Sequence, residues 1–273
     1  MNRKEIAEDT VKIQRQGFYD YKESRKEFAA LQKHSEDHSE LITPAQGADL
    51  VRNLAGLPRQ PQTAACTVGT EATVKAILDF ALAGKERVGV LNFASAKNPG
   101  GGFLNGAMAQ EESLAASSGL YDTQLRHEGY YQANRANPSM MYTDHAIYSP
   151  DVVFFRNERF ELIPQPVTAS VLTLPAVNYG QVQLKGESTR QAERVMKDRM
   201  RLALAIFAHK GDKNLILGAY GCGVFRNDPV KVARWWRELL QDEGLGMLFS
   251  EIRFAVLDTS KDGKCIKAFQ RTF

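Results

Sequence analysis

"VGVLNFASAKNPGGGFLNGAMAQEE", residues 88–112, decides how this chain is read. It opens as a short β-rich apolar run, passes through Gly100, Gly101 and Gly102, and ends on Gln110, Glu111 and Glu112 at what reads as the start of a helix. Strand, glycine-rich loop and helix in that order is α/β grammar, and in such sheets ligands gather beyond the carboxyl ends of the strands. Consecutive glycines let the backbone approach a ligand closely and let its N–H groups face an anion. The paired glutamates suit a helix N-terminus, whose partial positive charge stabilises an exposed carboxylate by roughly 0.3 to 1 kcal/mol.

Capping alone is one reading of the pair. The other is that one glutamate protonates a leaving oxygen or activates water while its neighbour holds a ribose hydroxyl. Consecutive helical residues differ by about 100° in direction, so only one can aim straight at a given bond. An ordinary glycosidase pair, with carboxyls roughly 5 to 9.5 Å apart on opposite sides of the sugar, is therefore disfavoured.

The same grammar extends outward. "TAACTVG" (63–69), "VTASVLTLPAV" (167–177), "NLILGAY" (214–220) and "EIRFAVLD" (251–258) read as strands, with helices at "TEATVKAILDFALAG" (70–84), from Ser188 to Lys210, and at "DPVKVARWWRELL" (228–240). In the long helix Met196, Met200, Ala203 and Phe207 share one face and are expected in the core. The first 60 residues read as helices: Ile6, Thr10 and Ile13 mark one face of a helix ending at Gly17, and Thr43-Pro44 opens another that stops at Gly56. Between them "QKHSEDHSE" (32–40) reads as a polar loop whose His34 and His38 are solvated. The expected fold is one α/β unit, a mixed sheet covered by helices on both faces, with a helical N-terminal segment.

A second glycine-rich loop follows the strand at 214–217. In "LGAYGCGVFRNDPVKVA", Gly218, Gly221 and Gly223 bend the chain, Asn227 or Asp228 serves as N-cap, and Pro229 takes the first helical turn. Two such loops in one α/β domain point to a diphosphate ligand. Neither is a GxGxxG or a GxxxxGK[ST] fingerprint, which disfavours a Rossmann dehydrogenase or a P-loop enzyme.

Composition removes other classes. The 273 residues are 43% hydrophobic and 25% charged, ordinary globular values. Thirty-five basic residues against 32 acidic ones leave a net +3, too slight to make duplex nucleic acid or an anionic membrane the main partner. Cys66, Cys222 and Cys265 are odd in number and far apart, without CxxC or zinc spacing, which fits a reducing, cytoplasmic setting. The charged start "MNRKEIAEDT" has no apolar stretch of a secretory signal, and no run reaches the ~18 apolar residues of a membrane span.

"NFASAKNPGGGFLNGAMAQEESLAASSGLY" resembles the signature of the bacterial, or microbial, type of poly(ADP-ribose) glycohydrolase, GGG followed after six to eight residues by QEE; here seven separate Gly102 from Gln110. The likeness continues through "RKEIAEDTVKI", "GFY", "IYSPDVVFFRN", "LPAVN", "LGAYGCGVFRNDPVKVA" and "FAVLD", nearly the whole chain. It implies a three-layer α/β/α macrodomain over residues 61–273, with residues 1–60 packed on it as one structural unit and closing the cleft so as to favour exo cleavage. It implies hydrolysis of ribose–ribose O-glycosidic bonds of poly(ADP-ribose) to release ADP-ribose, with no metal or other cofactor.

Carried over by matching position, Glu112 is the acid/base and Glu111 and Asn98 hold ribose hydroxyls. Gly100 to Gly102 admit the ribose and phosphate, with Gln110 completing the motif. Gly221, Cys222, Gly223 and Val224 supply backbone donors to the diphosphate, Phe225 packs against the terminal ribose, and Asn227 belongs to the same loop. "PAVN" departs from the family's more usual PAPN ahead of Asn178. Two other readings stay open: a reader that binds ADP-ribose without cutting it, and a hydrolase of another ADP-ribose linkage.

Overall fold

Near-continuous apolar runs in the central strands bury both of their faces, and this builds the three layers. The computed structural model describes residues 2–273. Its central sheet has seven strands: β3 (Glu40–Ile42), β4 (Ala65–Gly69), β5 (Val88–Phe93), β6 (Ala146–Arg156), β7 (Leu162–Leu174), β8 (Asn214–Leu217) and β9 (Glu251–Ala255), in the order β3-β6-β7-β5-β8-β9-β4. β5 is parallel to β7 and β8, β9 is parallel to β8 and β4, and β6 runs antiparallel to both β3 and β7. The sheet is mixed, as expected.

The period of two sorts side chains into two cores. Leu91, Leu172, Leu174, Leu215 and Leu217 face one side, where they meet α9 (Thr189–Lys210) and α10 (Pro229–Arg237). Val88, Val90, Val171 and Ile216 face the other, against α4 (Thr73–Leu82) and α5 (Gln110–Ser117). Met196, Met200, Ala203 and Phe207 are fully buried, as their helical spacing predicts. Trp235 and Trp236 are both buried, and Phe154 and Phe254 are core residues.

The N-terminal segment differs from its sequence reading in two places, a hairpin and a third helix. α1 (Arg3–Gln16) buries Ala7, Thr10 and Ile13 and ends at Gly17 with φ +74°, and α3 (Pro44–Arg52) opens on a Thr43 capping box. Between them lies a hairpin, β1 (Phe18–Tyr21) and β2 (Ser24–Glu27), whose Tyr19 packs with Phe28 and Phe155. The polar stretch expected to be a loop is α2 (Ala29–His38). The tilted rings of His34 and His38 pack there with centroids 4.2 Å apart, His34 lies 3.6 Å from Asp151, and no metal-capable group of three or more His, Cys, Asp or Glu occurs among the described residues. β3 then joins the edge of the central sheet, antiparallel to β6. Among the described residues no helix is long and apolar enough to cross a membrane.

Candidate active site

β5 sits between β7 and β8, so the chain crosses it from either side and its carboxyl end is the switch point where loops diverge. Both glycine-rich loops meet there. The first leaves β5 at Phe93 and returns as α5. Gly100 and Gly101 have φ of +63° and +59°, left-handed values that disfavour any side chain. A Cβ on Gly101 would lie 2.3 Å from Glu112 Oε1 and 3.1 Å from Glu111 Oε2, so Gly101 covers the paired acids directly.

The N–H groups of these glycines are engaged inside the protein, against the expectation that they face an anion. Gly100 N donates to Gln124 Oε1 at 2.8 Å, Gly101 N to the Asn98 carbonyl at 3.0 Å, and Gly102 N to Glu112 Oε1 at 3.0 Å. Their contribution is space and the positioning of Glu112. Its second oxygen accepts the Ala109 N–H at 3.0 Å, the backward half of a capping box. Glu112 stays partly exposed, and Asn98 nearby is exposed.

Glu111 points inward and is only 3% exposed. Its Oε2 accepts the Ser95 N–H at 2.7 Å, and its Oε1 accepts from Asn92 Nδ2 and Gln124 Nε2, both at 3.1 Å. Burial pushes its pKa up to about 8, with those three bonds opposing the rise and the nearby Glu112 adding to it. The pair is thus divided in environment, one carboxyl buried and one open. Gln110 turns the other way: its amide bridges the Phe93 N–H and the Leu91 carbonyl, fastening α5 to the end of β5 rather than facing a ligand.

The second loop, between β8 and α10, presents free backbone donors. Among the described residues, no hydrogen bond within the protein engages the N–H groups of Gly221, Gly223, Val224 or Phe225. Cys222 differs from the expectation, because its N–H goes to the Ala219 carbonyl at 3.0 Å. Its thiol pKa is raised, first by hydrogen bonding with Cys265 and then by burial. Asn227, 4% exposed, holds the loop from behind by donating to the Val177 carbonyl at 2.8 Å and the Gly221 carbonyl at 3.0 Å. Asp228 is the helix cap, accepting the Val230 N–H at 2.9 Å. Phe225 is half-buried, 6.0 Å centroid to centroid from Tyr142.

Behind both loops lies a polar framework that the sequence reading missed. Asn92 and Thr173 are register partners on β5 and β7, fully buried, and Asn92 Nδ2 donates to Thr173 Oγ1; Gln124, on α6 (Leu120–Leu125), donates to the same Thr173 hydroxyl. Arg199, 1% exposed, ties Asp144, Met141 and Pro175 together and thereby fixes the start of the "PAVN" segment. The one sequence signal was Asn92 itself, a polar residue inside the apolar run "VGVLNF".

An acid pair roofed by glycine at the switch point, beside a loop of open N–H groups, is a macrodomain-like site. A family model described as microbial-type PARG, catalytic domain, matches residues 7–157, and the chain belongs to that family. Among solved structures, it is similar to poly(ADP-ribose) glycohydrolase from Thermomonospora curvata, with 36% identity over 99% of both chains and a TM-score of 0.93. The same enzyme bound to the inhibitor ADP-HPD superposes with a TM-score of 0.92, again at 36% identity and 99% coverage of both chains. The enzyme from Deinococcus radiodurans in complex with ADP-ribose shares 42% identity over 90% of this chain and 97% of that one, with a TM-score of 0.84. No curated protein matches the chain.

Proposed function

We propose that this chain is a poly(ADP-ribose) glycohydrolase, which hydrolyses the terminal ribose–ribose O-glycosidic bond and releases ADP-ribose. The observation that carries the reading is the division of the acid pair beneath Gly101: Glu111 buried on three N–H donors, Glu112 partly open beside the glycine loop. Family membership and the ADP-ribose and ADP-HPD complexes of the two similar enzymes support it.

Each side chain has a role that its position fits. The open N–H groups of Gly221, Gly223, Val224 and Phe225 bind the diphosphate, which needs no metal for its charge to be met by aligned dipoles. Asn98 and Glu111 hold hydroxyls of the terminal ribose, and Phe225 packs against it. Glu112 gives its proton to the departing ribose oxygen as the anomeric centre takes on oxocarbenium character. The resulting carboxylate takes a proton from water as that water attacks, so the acid is regenerated and one water is consumed. Gln110 and Asn227 act through the backbone they fasten.

α1 lies against the turn at Phe103–Asn105, where a Cβ on Gly106 would be 3.4 Å from Arg3 Cβ. This contact supports a reading in which the N-terminal segment bounds one end of the site, in keeping with exo cleavage, and forms one unit with residues 61–273. The three free cysteines fit a cytoplasmic enzyme.

The test is product analysis on four substrates: polymer, mono-ADP-ribosylated protein, ADP-ribosylated nucleic acid and O-acetyl-ADP-ribose. Free ADP-ribose from polymer is the expected result. Binding of ADP-ribose without product from any of the four would make the protein a reader instead.

A further inference from the structure

Gln124 lies outside both glycine-rich loops, yet it touches three parts of the site at once. It is fully buried. Its Oε1 accepts the Gly100 N–H at 2.8 Å, and its Nε2 donates to Glu111 Oε1 and to Thr173 Oγ1, both at 3.1 Å. A primary amide has one acceptor oxygen and two N–H bonds, so its donor capacity is fully used. Rotating the amide by half a turn would set its NH₂ against the Gly100 N–H, a repulsive contact in place of a 2.8 Å bond, and would withdraw its donors from Glu111 Oε1 and Thr173 Oγ1. Only one orientation fits.

From these contacts we infer that Gln124 is a positioning residue, which locks the glycine loop to the buried member of the acid pair and through that loop sets the placement of Glu112. The second link is short. Gly100 is held by Gln124, Gly102 N–H holds Glu112 Oε1, and Gly101 between them covers both carboxyls. A shift of the loop at Gly100 therefore carries Glu112 with it, while loss of the Nε2 donor removes one of the three N–H groups facing Glu111.

The other groups facing Glu111 are the Asn92 amide, the Ser95 N–H, Glu112 and the buried rings of Tyr130 and Tyr131. Of these, Glu112 is the other carboxyl; it holds the loop at Gly102, Ser95 and Tyr130 hold its first residues, and Gln124 is the group that holds it at Gly100. The inference rests on the proposed glycohydrolase reading for its catalytic consequence, but the coupling itself does not.

Two variants separate the functions of the amide. Gln124→Met keeps the volume and removes both donor and acceptor. Gln124→Glu keeps an acceptor for Gly100 but turns a second carboxylate on Glu111. The measurement that needs no polymer is a carboxyl-carbon NMR titration of Glu111 in the full chain, across about pH 5 to 10. Both variants should raise the Glu111 midpoint, by about one unit or more in Gln124→Glu, because a donor to the ionised form is lost and a like charge is gained. Turnover of polymer should fall about tenfold or more in Gln124→Met, read in kcat rather than in KM.

A purely structural role would lower the thermal midpoint and leave the Glu111 titration where it is in the wild type; that result overturns the inference. Unchanged kcat in a folded Gln124→Met also overturns it. If the wild type itself releases no ADP-ribose, the glycohydrolase reading fails, and the NMR titration still decides the coupling.

Discussion

Adding a single methyl group at Gly101 tests the architecture of the site. Gly101 sits at φ +59°, where an L side chain costs about 1 to 2 kcal/mol. Its Cβ would stand 2.3 Å from Glu112 Oε1 and 3.0 Å from the carboxyl carbon, too close for either atom to stay. Glu112 must move, giving up the Gly102 N–H bond, which at about 1.5 to 3 kcal/mol for a charged acceptor is the larger loss. Gly101→Ala should therefore be destabilised by about 3 to 5 kcal/mol in chemical denaturation and lose kcat on polymer by about a hundredfold or more.

Gly84 provides the control. It has φ +67° and nothing within 4 Å of where its Cβ would be, so Gly84→Ala carries only the backbone cost, about 1 to 2 kcal/mol, with kcat unchanged. If Gly101→Ala matched Gly84→Ala in stability and kept wild-type kcat, the close covering of the acids by Gly101 would be wrong.

Three further outcomes follow from the same geometry. Burial keeps the proton on Glu111 up to about pH 8 in the folded chain, against an ordinary value of 4.5, so the folded state holds the extra proton between those values. Wild type should then lose stability relative to Glu111→Gln as pH rises through that window, by up to a few kcal/mol; denaturation midpoints at about pH 5 and about pH 9 measure it, and a pH-independent difference would contradict it. Asn227→Ala removes the bonds to the Val177 and Gly221 carbonyls and should weaken ADP-ribose binding about tenfold by calorimetry. Val224 is 83% exposed and contributes its backbone, so Val224→Ala should bind ADP-ribose within about twofold of wild type, whereas Val224→Asp, setting a carboxylate beside the diphosphate, should lose about tenfold.

Much of the sheet was legible because its signal is local. β5, β7, β8 and β9 announce themselves through short apolar, β-rich runs, and α9 through the spacing of Met196, Met200, Ala203 and Phe207. α2 was not, because the face it buries carries Gln32 and Ser35 instead of apolar side chains; Gln32 Nε2 donates to the Gly119 carbonyl at 3.0 Å. β3 is three residues long and exists through its pairing with β6, more than a hundred residues away. A propensity reading has no access to that partner.

The site divides in the same way. Gly100 to Gly102 and the acid pair stand together in sequence and in space, so their importance could be read from spacing. Where the N–H groups of Gly100 and Gly102 go could not, since their acceptors, Gln124 and Glu112, are brought in by the tertiary fold; the Gly101 N–H closes a local turn on the Asn98 carbonyl. The same holds for Gln124 and Thr173, which look ordinary in "LYDTQLRH" and "VLTLPAV": Gln124 meets Glu111, and Thr173 meets Gln124, only once α6 and β7 are packed.

We propose that Glu112 cuts the bond while the rest of the site holds the ligand. Glu112→Gln preserves shape and an acceptor for the Gly102 N–H, and removes the acid. Its release of free ADP-ribose from polymer, measured beside its ADP-ribose affinity, should fall by at least about a hundredfold while the affinity stays within about threefold of wild type. Turnover near the wild-type rate in that variant would contradict the assignment outright.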